Sequence, residues 1–170
     1  GRRALQLRTI DCIYPMRKAL VVGVDKYSSH ASNLSNCKND ALSISEMLEM
    51  DEYDFDTTLI TDEDASRRTI IKGLKDLFSG DSSFSLFYFA GHGSVNDIGS
   101  YLLPHDTDDI EVGIRLDLFR RLVKRKMGKD SKSVIILDCC HAGSANIRSD
   151  SSHNSRSLRK EDVRSQIGQL

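Results

Sequence analysis

No apolar run in this chain approaches the roughly 18 residues that a membrane-spanning helix needs, so no transmembrane helix and no membrane partner are expected. The opening Gly1-Arg2-Arg3-Ala4-Leu5 is basic but has no apolar stretch behind it, which argues against a secretory signal. It also lacks an initiator Met, so a fragment, a processed product or a piece made for expression is expected. Charge of one sign is missing too: 24 Lys and Arg stand against 25 Asp and Glu, a net charge of −1. Nucleic-acid binding normally shows a basic excess, so no nucleic-acid partner is expected. Cysteine is scarce, with Cys12, Cys37, Cys139 and Cys140 only. There is no CxxC and no second pair at metal-ligand spacing, so no zinc site is expected. A chain of this length does not need disulfides to fold, and a reducing, cytoplasmic setting fits best. No internal repeat is visible.

What is present is the patterning of one α/β domain. The 170 residues are 39% hydrophobic and 29% charged, enough bulk and apolar surface for a single core. Ala19–Val24 is a β-branched run closed by Gly23 and Asp25 and reads as a first central strand. Ala41, Ile44, Ser45 and Leu48 then recur at helical spacing, with Asn36 or Asn39 as cap and Asp40 in the first turn. Thr57–Thr61 reads as a second strand. Ile70, Ile71, Leu74, Leu77 and Phe78 mark a second helix with Ser66 before it, and Gly80-Asp81-Ser82 breaks it. Phe84–Phe89 is a third strand, Tyr101–Pro104 a short extended piece, Phe119, Leu122 and Val123 a third helix ended by Gly128, and Val134–Leu137 a fourth strand. Strands alternating with helices predict an α/β sandwich with a mostly parallel sheet. Residues 1–17 are expected to be an N-terminal extension and 18–147 the folded domain. Residues 148–170, rich in Ser, Arg, Asp and Asn, are expected to form a flexible linker or tail.

Two short motifs carry the chemistry. Phe89-Ala90-Gly91-His92-Gly93-Ser94 follows the third strand, and Leu137-Asp138-Cys139-Cys140-His141-Ala142-Gly143 follows the fourth. In a parallel sheet the loops after the strands share one edge, where sites are usually built. His92 and Cys140, 48 residues apart (92 to 140), are thus candidates for an imidazole and a thiol acting together. Taken alone, His92 reads as a surface turn histidine, and Cys139 and Cys140 as small residues closing a strand. Cys139 is expected to be buried.

Four motifs in order resemble the caspase-like cysteine peptidases, closest to the metacaspase and bacterial caspase-homologue branch. They are Ala19-Leu20-Val21-Val22-Gly23-Val24-Asp25-Lys26-Tyr27, Leu34-Ser35-Asn36-Cys37-Lys38-Asn39-Asp40-Ala41, Tyr88-Phe89-Ala90-Gly91-His92-Gly93 and Asp138-Cys139-Cys140-His141-Ala142-Gly143. The spacing of His to Cys agrees with the roughly 50 residues of the caspase pattern, although the animal-caspase Gln-Ala-Cys-x-Gly is absent. The resemblance implies the large-subunit part of a three-layer caspase-like sandwich. It implies a Cys-His dyad of Cys140 as nucleophile and His92 as acid and base, with an oxyanion hole from the amides of Gly93 and Cys140. It further implies that Cys37, Asp40 and Asp138 line an acidic S1 pocket for Arg or Lys. Read without the resemblance, Asp40 favours a helix N-terminus and Asp138 is a strand-end turn residue. Ala90 stands where many metacaspases have Ser, a departure in the pocket.

No cofactor is expected. Asp106, Asp108, Asp109 and Glu111 form an acidic cluster, but calcium wants six to eight oxygen ligands and the relatives' later acidic pair is reduced to Asp117. A thiol phosphatase would need an Arg six residues after its Cys, and position 146 is Asn. The competing class is a catalytically inactive caspase-like module used for binding or assembly. The resemblance also implies a partner, the small-subunit half that supplies further strands and part of the groove. It implies zymogen processing in the tail at Arg148, Arg156, Arg159, Lys160 or Arg164, and bacterial relatives suggest a role in regulated cell death or defence.

Overall fold

The computed structural model describes residues 16–28, 31–79, 82–107, 113–126 and 131–139. Within them, four parallel strands form the main sheet in the order β2-β1-β3-β7, from β1 (Arg17–Gly23), β2 (Phe55–Thr61), β3 (Phe84–Gly91) and β7 (Lys132–Cys139). The two inner strands are the most apolar runs: every residue of β3 is buried, as are Ala19 to Gly23 of β1. That is the expected pattern for parallel strands covered on both faces.

The side-chain period of two sorts the core into two layers. Leu20 and Val22 of β1 and Phe87 and Phe89 of β3 pack with Ile70, Leu74 and Phe119, which belong to α2 (Arg67–Leu77) and α3 (Asp117–Lys126). Ala19, Val21, Leu86, Tyr88 and Ala90 pack with Ala41, Ile44 and Leu48 of α1 (Cys37–Leu48). The result is the α/β sandwich expected from the alternation, in the three layers that the resemblance implied, with α1 on one face and α2 and α3 on the other.

Three details differ from the sequence-based expectation. A second sheet of three short antiparallel strands, β4 (Gly93–Asn96), β5 (Gly99–Leu102) and β6 (Ile114–Arg115), follows β3. Its first hairpin turns at Asp97 and Ile98, where Asn96 Oδ1 accepts from the amides of Ile98 (2.9 Å) and Gly99 (3.1 Å). An Asx turn of this kind needs no Asn-Gly signature, and four-residue strands leave little period to read. The second difference is the cap of α1. Asn36 occupies the cap position but its side chain makes no capping bond. Asp25, at the end of β1, accepts instead from the amides of Cys37 (2.8 Å) and Lys38 (3.1 Å). The cap comes from a residue 12 positions away, so local spacing could not show it. Third, Asp106 accepts from the amide of Arg67 at 2.7 Å and so closes the start of α2, beside the local cap from Ser66 to the Thr69 amide (3.2 Å). Gly128 and the residues of 148–170 lie outside the described residues, as do Asp108, Asp109 and Glu111.

Candidate active site

The chain leaves β1 toward α1 and β2 on one side of the sheet. It leaves β3 toward β7 on the other. The carboxyl ends of β1 and β3 are therefore a switch point, where the diverging connections open a crevice. His92, Asp138 and Cys139 of the two motifs stand at this end of the sheet.

His92 follows β3 directly. Its backbone amide donates to the Tyr27 phenol oxygen at 2.8 Å, and its Nε2 lies 2.8 Å from the carbonyl oxygen of Ser32. A carbonyl can only accept, so Nε2 carries a proton and, in the neutral ring, Nδ1 does not. The Tyr27 and His92 rings pack at 4.9 Å between centroids with a 48° tilt. Gly91 is required by this approach: a Cβ there would stand 2.8 Å from the Tyr27 oxygen. Gly93, the proposed oxyanion donor, opens β4 opposite Leu102.

The loop after β1 is built on one buried acid. Asp62 is 2% exposed, has a φ of 46°, and accepts from the amides of Asp25 (3.0 Å) and Lys26 (3.2 Å). Its other oxygen pairs with Lys38 Nζ at 3.2 Å. Burial works against its charge, but the Asp25 amide, Lys38 and the Lys26 amide outweigh it and hold the carboxyl below its ordinary value. His105 completes the seam, its Nδ1 2.7 Å from the Lys26 carbonyl and its own carbonyl accepting from the Ser28 amide at 2.9 Å.

Cys37, Asp40 and Asp138 also come together. β7 runs beside β3 with Ala90 opposite Asp138 and Gly91 opposite Cys139. Val134 and Ile136 face α1, so Asp138, two residues on, shares their side of the strand. The Tyr88 hydroxyl reaches Asp138 Oδ2 at 3.5 Å. Burial, then Asp138, Asp40 and Cys37, push the Tyr88 phenol up. Burial, Asp25, Asp138 and Asp40 push the Cys37 thiol up to about 12, so it is a neutral thiol at physiological pH. Ala90 is buried on the same face of β3 as Tyr88. Cys139 turns to the opposite layer with Ile135 and Leu137, and it is half-buried where full burial was expected. Cys140 and His141 lie outside the described residues.

The sequence reading assigned no role to Asp25, Tyr27, Ser32, Asn33 or Asp62. Asp25 and Tyr27 close the first-strand motif, which was a signal. Asp62 had none, since it acts on residues 36 and 37 positions away. Among the described residues no group of three or more His, Cys, Asp or Glu is placed to hold a metal ion, and no helix is long and apolar enough to cross a membrane.

A search of curated proteins gave no match. Among solved structures, a crystal structure of a structural-genomics protein from Geobacter sulfurreducens superposes with a TM-score of 0.65 at 19% identity, over 76% of this chain and 52% of that one. The chain thus spans about half the length of this solved neighbour, and the likeness is one of fold. The family model described as the caspase domain matches residues 16–167, nearly the whole chain, and the protein belongs to that family.

Proposed function

We propose that the chain is the large-subunit part of a cysteine endopeptidase that cleaves proteins after Arg or Lys through a dyad of Cys140 and His92. The observation that carries this reading is the imidazole of His92, held by the Ser32 carbonyl at the switch point beside the strand that leads to Cys140. With Nε2 donating to that carbonyl, Nδ1 is the nitrogen able to take the thiol proton. The thiolate then attacks the scissile carbonyl carbon, and the amides of Gly93 and Cys140 are the proposed donors to the oxyanion. The imidazolium returns the proton to the leaving amine as the C–N bond breaks. Water, deprotonated by His92, releases the acyl group and restores the thiol. Tautomer and charge suit both halves, since Nε2–H keeps its carbonyl partner in either state.

Support for a basic P1 residue comes from the acids around Cys37. Asp40 and Asp138 both bear on Cys37 and Tyr88, so two carboxylates share one region at the end of the sheet. A guanidinium or ammonium would neutralise them. A small-subunit partner, tail processing, a cytoplasmic setting and a role in regulated cell death or defence complete the proposal. No cofactor is required by this chemistry.

The test is a positional peptide library on the full-length protein with Cys140→Ala as control. Cleavage is expected after Arg and Lys, lost by orders of magnitude in Cys140→Ala and His92→Ala and kept in Cys139→Ala. A preference for Asp at P1 would overturn the pocket, and full activity in Cys140→Ala would overturn the nucleophile.

A further inference from the structure

We propose that Tyr27 is a positioning residue for His92, holding the backbone and the ring of that histidine in the one orientation in which Nδ1 faces proton transfer. This rests on the reading of His92 as the proton-transfer group. Two contacts between these residues and a clearance at Gly91 carry it. The Tyr27 oxygen accepts the His92 amide proton at 2.8 Å, fixing the first residue after β3. The two rings pack at 4.9 Å, which limits rotation of the imidazole. The space for the phenol exists because residue 91 has no Cβ; one would lie 2.8 Å from the phenol oxygen and 2.9 Å from the Phe89 ring.

Tyr27 is itself held. Its amide donates to Asn33 Oδ1 at 2.9 Å, and Asn33 adjoins Ser32, whose carbonyl takes His92 Nε2. His92 is therefore gripped at two points, backbone amide through Tyr27 and ring nitrogen through Ser32, and Asn33, next to Ser32, ties the two grips together through the Tyr27 amide. Burial pushes the Tyr27 phenol well above its ordinary range, against the opposing bond from the His92 amide. The hydroxyl thus stays protonated and acts as a neutral acceptor rather than as a charge. A Phe at this position would keep the ring packing and lose the amide acceptor, so the two contributions separate.

The test uses the full-length protein with 15N-labelled histidine, read by ring-nitrogen NMR, and steady-state cleavage of an Arg-P1 peptide. In the parent, the His92 ring is expected as the Nε2–H tautomer. In Tyr27→Phe its resonances should shift toward the average of both tautomers, and kcat should fall by about tenfold, the scale of one hydrogen bond. KM should stay within about twofold. Asn33→Ala, at an exposed position, should move both readouts the same way and carries the test where Tyr27→Phe does not fold. A kcat within twofold of the parent in the folded variants would overturn the proposal. So would a lowered kcat with unmoved His92 resonances, because Tyr27 would then act only on stability. An active His92→Ala protein would instead fail the proposed function, while the ring spectra still decide whether Tyr27 orients His92.

Discussion

At the scale of the residue, Asp62 shows how a buried charge shapes this site without touching a reacting atom. It stands at a φ of 46°, a left-handed conformation that costs free energy and persists only where its surroundings determine it. Those surroundings are two amides of the loop after β1 and the Lys38 ammonium. Asp62→Asn keeps the shape and tolerates the left-handed backbone, but it removes the ion pair and weakens the bonds to the amides. It should destabilise the fold by about 2 kcal/mol at neutral pH, the usual range for bonds to a charged group. The folded carboxyl is held below its ordinary value, so its stabilisation is present above the carboxylate range and is lost as pH falls through the folded value. The gap between parent and variant in urea denaturation should be widest near pH 7 and should shrink below about pH 4. A gap that is the same at pH 3 and pH 7 would show that charge plays no part. His92 and Asp138 were singled out in the sequence because each closes an apolar strand run, and Asp40 because it falls in a motif that resembles the family's. Asp62, Ser32 and Asn33 were not, because their roles exist only after the strands have been laid side by side.

At the scale of the element, β1 and α1 pack tightly against each other at Gly23. A Cβ on Gly23 would lie 2.5 Å from the Cys37 carbonyl oxygen and 2.6 Å from the Ala41 Cβ. The first is backbone, so the helix itself would have to move, and with it Cys37 and Asp40. Gly23→Ala should therefore cost about 1–3 kcal/mol, the range for overpacking, and should weaken cleavage after Arg through KM more than through kcat. Urea unfolding and steady-state kinetics on the same preparation check both, and an unchanged unfolding midpoint would contradict the close packing. The sequence showed α1 and α2 because their apolar residues recur at helical spacing, and β1, β3 and β7 because each is a near-continuous apolar run. It missed β4 and β6, with four and two residues, because a period cannot be read from so few. It misplaced the cap of α1 because Asn36 is a good local candidate and Asp25, brought over by the sheet, competes successfully for the same amides.

For the molecule as a whole, the two outer strands of the main sheet are not alike. β2 carries Asp56, Thr57 and Thr58 along its length, polar groups of the kind that blunt an edge. β7 has β3 as its neighbour on one side and, among the described residues, no strand on the other. Its Val134, Ile135 and Leu137 are only half-buried, whereas every residue of the adjoining β3 is buried. An apolar edge of this kind is a template for a further strand, and it carries Asp138 and leads to Cys140. The proposed small-subunit half would pair there, fixing the strand end on which the nucleophile depends. The expectation follows that residues 1–170 alone cleave an Arg-P1 peptide weakly, and that co-production with a small-subunit segment raises kcat/KM by about 10²-fold, the penalty that slight misplacement of catalytic groups carries. Equal rates with and without the partner segment would mean that β7 is already in its working position, and the edge would then have no part in assembling the site.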